Sequence, residues 1–187
     1  MPPRIDGTPP RRRTPSARHA APAMAAVDRF ADWFSRRGWS PFAFQLETWR
    51  AVEAGTSGVL HAPTGTGKTL AAWLGALARA EAVAAVGGDA CATTSRVGPR
   101  VLWVTPLRAL AGDTVRALEE PLRTLRPAFT GWDVGLRTGD TSAAARRRLR
   151  ERWPTALVTT PESLSILLSL DAAHEVFAAL DTTVVDE

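Results

Sequence analysis

The feature that most constrains the fold of this chain is a glycine-rich segment between a short apolar stretch and a long helical pattern. The segment, which we call the phosphate loop, reads Ala62-Pro63-Thr64-Gly65-Thr66-Gly67-Lys68-Thr69. Its two glycines allow the backbone to curl so that successive N–H groups point inward, and the following helix adds its positive N-terminal end. A strand, loop and helix in this order predict a site for the phosphates of a nucleotide.

Each polar residue of the phosphate loop has a task in the predicted site. Thr64–Gly67 would surround the phosphates with backbone N–H groups. Lys68 would reach the β- and γ-phosphates, and Thr69 would place its hydroxyl on Mg²⁺. Lys68 is the one lysine among 23 basic residues, and its compact ammonium fits among phosphate oxygens where a planar guanidinium does not. The loop therefore predicts ATP and Mg²⁺ as cofactors.

The last five residues form a second pattern, an apolar run that ends in two acids: Thr183-Val184-Val185-Asp186-Glu187. Such a run predicts an apolar strand, and ligands of α/β proteins bind at the carboxyl ends of parallel strands. We expect Asp186 to hold the Mg²⁺ shell and Glu187 to polarise an attacking water, although two solvated loop acids would look the same. The predicted catalytic residues are Lys68, Asp186 and Glu187, and the predicted metal ligands are Thr69 and Asp186.

The net charge of +4 comes from the N-terminal residues. Residues 1–23 hold five arginines and one aspartate, so the rest of the chain is neutral, with 18 basic and 18 acidic residues. The Pro-, Arg- and Ala-rich residues 1–25 are predicted to form a disordered basic tail. The remainder is not a basic polyanion-binding module by composition, so any nucleic-acid contact must come from individually placed residues.

Beyond the tail, the apolar pattern alternates between helices and short strands. Helices are predicted from Val27 to a cap at Gly38, from Ser40 and Pro41 to Ala54, and over 68–86, 107–126, 142–152, 161–170 and 172–180. Strands are predicted at 58–62, 101–104, 133–137, 156–158 and 183–185. Pro121 is expected to break its helix, and 87–99 to form a loop. This alternation predicts an α/β domain with a mainly parallel sheet covered on both faces.

Together, the phosphate loop and the terminal acids resemble motifs of superfamily 2 DNA helicases of the DExH type. The resemblance points to the large-helicase-related (Lhr-like) group and its bacterial ligase-associated branch. Ala62 stands where the general phosphate-loop pattern has glycine, and it matches the helicase form A-x-x-G-x-G-K-T. The resemblance covers about Val27 to Glu187 and implies that 26–187 is the first RecA-like domain, a three-layer P-loop NTPase unit, ending at the DExH motif.

Upstream of the phosphate loop, Pro41-Phe42-Ala43-Phe44-Gln45 resembles the Q-motif region of these helicases. Gln45 lies 23 residues before Lys68, the spacing that the family shows. The resemblance implies that the Gln45 amide reads the adenine edge through one donor and one acceptor. A solvent-facing glutamine on a helix is the alternative.

Three further segments, each following a predicted strand, resemble the nucleic-acid motifs of the family. Residues 105–110 resemble motif Ia, 138–140 the Thr-Gly-Asp motif, and 159–164 motif Ib. The resemblance implies nucleic-acid contacts, directed at phosphate and sugar, from Thr105, Pro106, Arg108, Thr138, Gly139, Thr160 and Pro161. Each segment alone is also a common helix-capping pattern. The arginine-rich run 146–150 is predicted to be a solvated helix face, with DNA contact as the alternative.

The resemblance implies a parent protein that couples ATP hydrolysis to movement on single-stranded or forked DNA in DNA repair, with RNA as an alternative strand. The D-E-x-H pattern is cut after Glu187, and the second RecA-like domain, which supplies an arginine finger, is missing from the sequence. We therefore expect a fragment without full activity. The alternatives are a non-catalytic nucleotide- or DNA-binding module, or part of an RNA helicase or another P-loop translocase.

The sequence also gives an expectation for the cellular location of the protein. No apolar run reaches the roughly 18–20 residues of a membrane span, and the N-terminus lacks the apolar core of a secretory signal. Cys91 is the one cysteine, so an intrachain disulfide is excluded. We expect a cytoplasmic protein without a membrane partner.

Overall fold

The computed structural model of the chain describes residues 25–87, 98–125 and 128–186. Nearly all of the predicted tail, most of the predicted loop at 87–99, and Glu187 lie outside the described residues. The predictions made for these segments therefore stay predictions.

Within the described ranges the chain forms seven helices and four strands. The helices are α1 (Ala26–Ser35), α2 (Ala43–Glu53), α3 (Lys68–Gly87), α4 (Arg108–Thr124), α5 (Ala143–Glu151), α6 (Pro161–Leu168) and α7 (Ala173–Phe177). The strands are β1 (Val101–Val104), β2 (Val134–Arg137), β3 (Ala156–Thr159) and β4 (Thr182–Val185). None of the helices in these ranges has both the length and the apolarity that crossing a membrane requires.

The four strands form one parallel sheet in the order β2-β3-β1-β4. In its register, Trp103 of β1 lies between Val158 of β3 and Val184 of β4. All four strands run in one direction, so the residues that follow them emerge at one edge, which we call the carboxyl edge. The predicted parallel α/β fold is confirmed.

Alternate residues of the central strand β1 pack into two separate cores. Val101 and Trp103 join a large cluster with α1, α3 and α4, whereas Leu102 and Val104 join a smaller cluster with Leu167 of α6. A strand with helices on both faces has no solvent-facing side, which is why Val-Leu-Trp-Val shows no polar alternation. The domain therefore has the three layers that the sequence predicts.

One buried arginine fixes the direction of α3 relative to the sheet. Arg100, just before β1, is 7% exposed, forms an ion pair with Asp181, and donates from Nη2 to the Ala80 carbonyl oxygen at 3.2 Å. The C-terminal half of α3 therefore lies at the amino end of β1. Since α3 also packs along β4, its first residue, Lys68, lies toward the carboxyl edge.

The predicted strand at 58–62 was wrong. These residues form no strand, and the side chain of Val59 is 98% exposed. A strand needs a neighbour to receive its hydrogen bonds. Among the described residues the sheet ends at β4, and no strand pairs with this segment.

Two helix features also differ from the predictions. α2 begins at Ala43 rather than at Pro41, because the Gln45 side chain accepts the Phe42 N–H at 2.9 Å and takes the capping role predicted for Ser40. α4 continues through Pro121 to Thr124. Pro121 lies in the last turn, where the lost hydrogen bond affects little of the helix, and its ring is buried.

Two glycines allow a matched test of this packing. A Cβ at Gly98 would overlap the carbonyl oxygen of Val176, whereas a Cβ at Gly112 on α4 meets open space. We expect Gly98→Ala to lower the free energy of unfolding by about 2 kcal/mol, because the backbone must move. Gly112→Ala should raise it by about 0.5 kcal/mol, because alanine favours helices. Urea unfolding followed by circular dichroism measures both, and similar effects at the two positions would contradict the described packing.

Candidate functional site

The phosphate loop forms the bend that its glycines predict. Gly65 and Gly67 have φ angles of +80° and +87°, in the left-handed region that favours glycine. The Thr66 hydroxyl donates to the Pro63 carbonyl oxygen at 2.7 Å and closes the bend. α3 begins at the residue after Gly67, so the loop meets the positive end of a 20-residue helix.

Lys68 is folded back onto the phosphate loop. Its Nζ donates to the carbonyl oxygens of Ala62 at 2.8 Å and Pro63 at 3.3 Å. A phosphate group in the bend would replace these carbonyl oxygens as the partner of the ammonium. The backbone therefore holds the cation beside the place where the sequence predicts the phosphates.

Gln45 lies beneath the phosphate loop and is 2% exposed. Its Nε2 donates to the Gly67 carbonyl oxygen at 3.2 Å, while its Oε1 accepts from Phe42. The α2–α3 packing that brings it there includes Trp49, whose indole N–H reaches the Leu70 carbonyl oxygen at 3.4 Å. The amide thus connects the start of α2 to the loop, a bracing role that the sequence did not predict. The adenine contact stays a prediction.

Asp186 is the first residue after β4 and lies at the carboxyl edge. Its N–H donates to the Val104 carbonyl oxygen at 2.8 Å, and its Oδ2 accepts from Trp103 Nε1 at 3.3 Å. Trp103 is 1% exposed and packs in the cluster that contains α3. The Asp186 carboxylate is therefore turned to the α3 side of the sheet. Sequence reasoning missed Trp103, because tryptophan in an apolar strand gives no sign of where its N–H points.

The direction of α3 puts its first residues, Lys68 and Thr69, toward the carboxyl edge, on the side of the sheet to which the Asp186 carboxylate turns. An ammonium, a hydroxyl and a carboxylate around an amide-lined bend can hold a polyphosphate and a divalent cation between them. Glu187, the third predicted catalytic residue, lies outside the described residues.

The motifs that follow β1 and β2 meet at Arg108. The guanidinium Nη1 lies 3.4 Å from Asp140 Oδ1, and both side chains are more than half exposed. A Cβ at Gly139 would lie 3.0 Å from the Arg108 guanidinium, so glycine permits this close approach. We call the exposed surface formed by Pro106, Arg108, Gly139 and Pro161 the groove.

The threonines of the three motifs form hydrogen bonds inside the protein. The Thr160 hydroxyl caps α6 by accepting the Ser163 N–H, and Thr160 is fully buried. The Thr105 and Thr138 side chains are also buried, at 2% and 7% exposure. These threonines shape the carboxyl edge, and the predicted residues that face solvent are those of the groove. Nucleic-acid contact by either set stays a prediction.

Glu162, in the first turn of α6, links the third motif to Arg108. The pKa of Glu162 lies below its ordinary value, first because its own backbone N–H bonds the carboxylate, then because of the Thr160 hydroxyl and the positive charge of Arg108. The stabilisation is present above the ordinary pKa of a glutamate and is lost as the pH falls through the folded value. All three motifs therefore lie within electrostatic reach of one guanidinium.

The crowding at Gly67 leads to a test with a built-in control. A Cβ at Gly67 would lie 2.7 Å from Gln45 Nε2, whereas a Cβ at Gly65 meets nothing within 4 Å. Both substitutions to alanine carry the left-handed strain of about 1–2 kcal/mol, but only Gly67→Ala adds a clash. Thermal unfolding of Gly65→Ala, Gly67→Ala and Gln45→Ala/Gly67→Ala should show partial rescue by the Gln45 change. Equal melting temperatures for the first two variants would contradict the contact.

A second test concerns Arg108. Arg108→Gln should raise the pKa of Glu162 toward its ordinary value, because one of the three groups that lower it is removed. Arg116→Gln, on the same helix but paired with Asp113, is the matched control and should leave the titration unchanged. NMR detection of the glutamate carboxyl carbons across a pH series measures both. An unchanged pKa of Glu162 in Arg108→Gln would show that Arg108 has no electrostatic influence on the start of α6.

The chain is similar to several known proteins. Over 163 residues the chain is 37% identical to Lhr helicase/uracil glycosylase of Escherichia coli (strain K12), covering 83% of this chain and 10% of that protein. It is 34% identical to ATP-dependent helicase Lhr-Core of Methanothermobacter thermautotrophicus, covering 84% of this chain and 18% of that protein. The chain thus spans less than a fifth of the length of these relatives.

The solved structure of Mycobacterium smegmatis helicase Lhr bound to ssDNA and AMP-PNP matches with a TM-score of 0.66 and 35% identity, covering 88% of this chain and 20% of that one. This similarity confirms the predicted RecA-like fold, and the relatives confirm the predicted likeness to Lhr helicases. The DEAD/DEAH box helicase family matches residues 42–187, a range that includes the phosphate loop and Asp186. The chain belongs to the DEAD/DEAH box helicase family.

Proposed function

We propose that this domain binds ATP with Mg²⁺ at the phosphate loop and Asp186 and holds a single strand of DNA at the groove, as the first RecA-like domain of a DNA helicase. The observation that carries the proposal is the shared position of the start of α3 and the Asp186 carboxylate on one edge and one face of the sheet. Relatives named ATP-dependent helicases and an Lhr structure with ssDNA and AMP-PNP support it.

The residues at the phosphate loop fit a nucleotide. Gly65 has positive φ and open space around its Cβ position, so a phosphate can approach the backbone closely. Lys68 exchanges its loop carbonyl oxygens for phosphate oxygens. Thr69 and Asp186 would hold Mg²⁺ together with the phosphates, because a hydroxyl and a carboxylate offer the oxygen ligands that this cation prefers. ATP, when bound, supplies the phosphoryl transfer that drives a helicase.

β1 provides a short physical connection between the nucleotide site and the groove. Trp103 holds the Asp186 carboxylate, and Arg108 follows only five residues later at the start of α4. A shift of Asp186 toward a bound metal would change its contact with Trp103 and reach the strand that leads to Arg108. We propose this connection as the route by which nucleotide state alters the hold on the strand.

We propose single-stranded or forked DNA as the substrate, a role in DNA repair, and action in the cytoplasm. The Lhr structure bound to ssDNA supports the single-stranded substrate. Turnover in this family requires a second RecA-like domain, which brings an arginine finger to the developing charge. We propose that the present chain supplies nucleotide binding and part of the strand contact, while a second such domain completes catalysis.

Nucleotide binding by the chain is the direct test. Lys68→Ala should weaken binding of a fluorescent ATP analogue by about tenfold or more, because a charge-assisted contact to phosphate is lost. Asp186→Asn should remove most of the Mg²⁺ dependence of binding. Arg123→Ala, an exposed arginine paired with Glu119 on α4, is the control and should bind as the wild type does. Equal affinity in Lys68→Ala and the control would refute the nucleotide site.

Hydrolysis by the same protein tests the requirement for a second domain. We expect phosphate release by a purified polypeptide of this sequence to stay near the buffer rate, with or without single-stranded DNA, because the proposed mechanism takes the arginine finger from a second RecA-like domain. DNA-stimulated hydrolysis at a typical enzyme rate of about 1–1000 per second would show that this chain alone is a complete ATPase.

A further inference from the structure

Arg137 is a buried cation without a full set of partners. It is the last residue of β2 and is 3% exposed, and its Nη1 is buried with no hydrogen-bond partner. Buried charges are normally paired, because an uncompensated charge loses its hydration without replacement. A fold that buries a guanidinium in this way leaves a place for an anion.

The surroundings of Arg137 disfavour the charged form of its guanidinium. Burial lowers the pKa of Arg137, and the positive charges of Arg150 and Arg146 lower it further. Arg146 and Arg150 lie four residues apart on α5, so they project from the same face of the helix, and both are exposed. The Arg146 Nε also donates to the Thr141 carbonyl oxygen at 2.8 Å, which holds this side chain near the turn that follows β2. The positive charges of Arg146 and Arg150 thus lie within electrostatic reach of Arg137.

Nearby acids are engaged with other arginines. Asp140 pairs with Arg108, Glu151 with Arg147, and Asp133 with Arg152. In the part of the chain that the structure describes, no carboxylate forms an ion pair with Arg137, Arg146 or Arg150. These three arginines thus form a local excess of positive charge in a part of the chain, residues 24–187, whose net charge is zero.

The position of the three arginines indicates their ligand. The Arg137 carbonyl oxygen accepts the Thr159 hydroxyl at 2.7 Å, which ties the end of β2 to the end of β3 at the carboxyl edge. Thr138 and Gly139 follow directly, so Arg137 lies two residues before the glycine that lines the groove, and Arg146 contacts the turn just after it. Guanidinium groups suit phosphate oxygens because their planar forks can donate two parallel hydrogen bonds.

We infer that Arg137, Arg146 and Arg150 form a phosphate-binding site that extends the groove across α5 and holds the sugar–phosphate backbone of the bound strand. This inference rests on the proposed function. It assigns Arg146 and Arg150 to a binding site, whereas the sequence predicts that the whole arginine-rich run 146–150 is a solvated helix face. Arg147, paired with Glu151, and Arg148, beside Leu136, lie on other parts of the helix surface.

Two double variants of α5 test the site. Arg146→Gln/Arg150→Gln should weaken binding of fluorescein-labelled oligo(dT) about tenfold, and should reduce the slope of log affinity against log salt by about 1.4, the value for two lost phosphate contacts on a single strand. Arg147→Gln/Arg148→Gln removes the same charge from the same helix. It should change affinity about twofold or less, through the general field alone.

The variant Arg137→Met distinguishes a binding role of Arg137 from a purely structural one, because melting temperature and DNA affinity are measured together. Replacing an unpaired buried cation by an apolar side chain of similar length should raise the melting temperature and weaken oligo(dT) binding at the same time. A lower melting temperature with unchanged DNA affinity would assign Arg137 a structural role and overturn the inference.

The remaining outcomes are also decisive. Equal DNA affinity in the two double variants, with normal wild-type binding, overturns this site and leaves the proposed function intact. Inorganic phosphate that raises the melting temperature of the wild type but not of Arg146→Gln/Arg150→Gln, with DNA affinity unchanged in both, assigns the site to free phosphate instead. A wild-type chain that binds no oligo(dT) overturns the proposed strand contact and this inference together.

Discussion

The antiparallel packing of α3 against the sheet is the constraint on which both surfaces of the domain depend. Arg100 ties the fourth turn of α3 to the amino end of β1 through the Ala80 carbonyl oxygen and is itself compensated by Asp181. With its C-terminal half held there, α3 presents its first turn at the carboxyl edge. The positive end of the helix and the ends of four parallel strands therefore occupy the same side of the molecule.

The same edge carries two kinds of chemistry, and β1 separates them. On one side, the indole of Trp103 turns the Asp186 carboxylate toward α3. On the other, the segment after β1 delivers Arg108 to the Thr-Gly-Asp turn and the start of α6. Because β1 lies between β3 and β4, the proposed connection between the two sites runs through paired backbone.

Much of the fold follows from local patterns in the chain. The helices at 68–87 and 143–151 and the strands at 101–104 and 156–159 lie within one or two residues of their predicted positions, because periodicity and capping residues act locally. The segment 58–62 shows the limit of such reasoning. Its apolar residues are typical of a strand, but a strand forms only beside a neighbouring strand. That neighbour comes from a distant part of the chain, so the local sequence does not reveal whether it is present.

The sequence by itself determined the chemistry of this protein: a glycine bend before the lysine, an aspartate after an apolar strand, and polar turns after the other strands. Only the tertiary structure decided which of these groups face one another and which are buried and hydrogen-bonded within the protein. Gln45, Thr105 and Thr160 look available in the sequence, yet their side chains are buried and Gln45 and Thr160 brace the site. Arg137 looks like one arginine of many, yet packing buries it beside two others. Burial and mutual approach arise from contacts between residues far apart in the chain, and no local pattern encodes them.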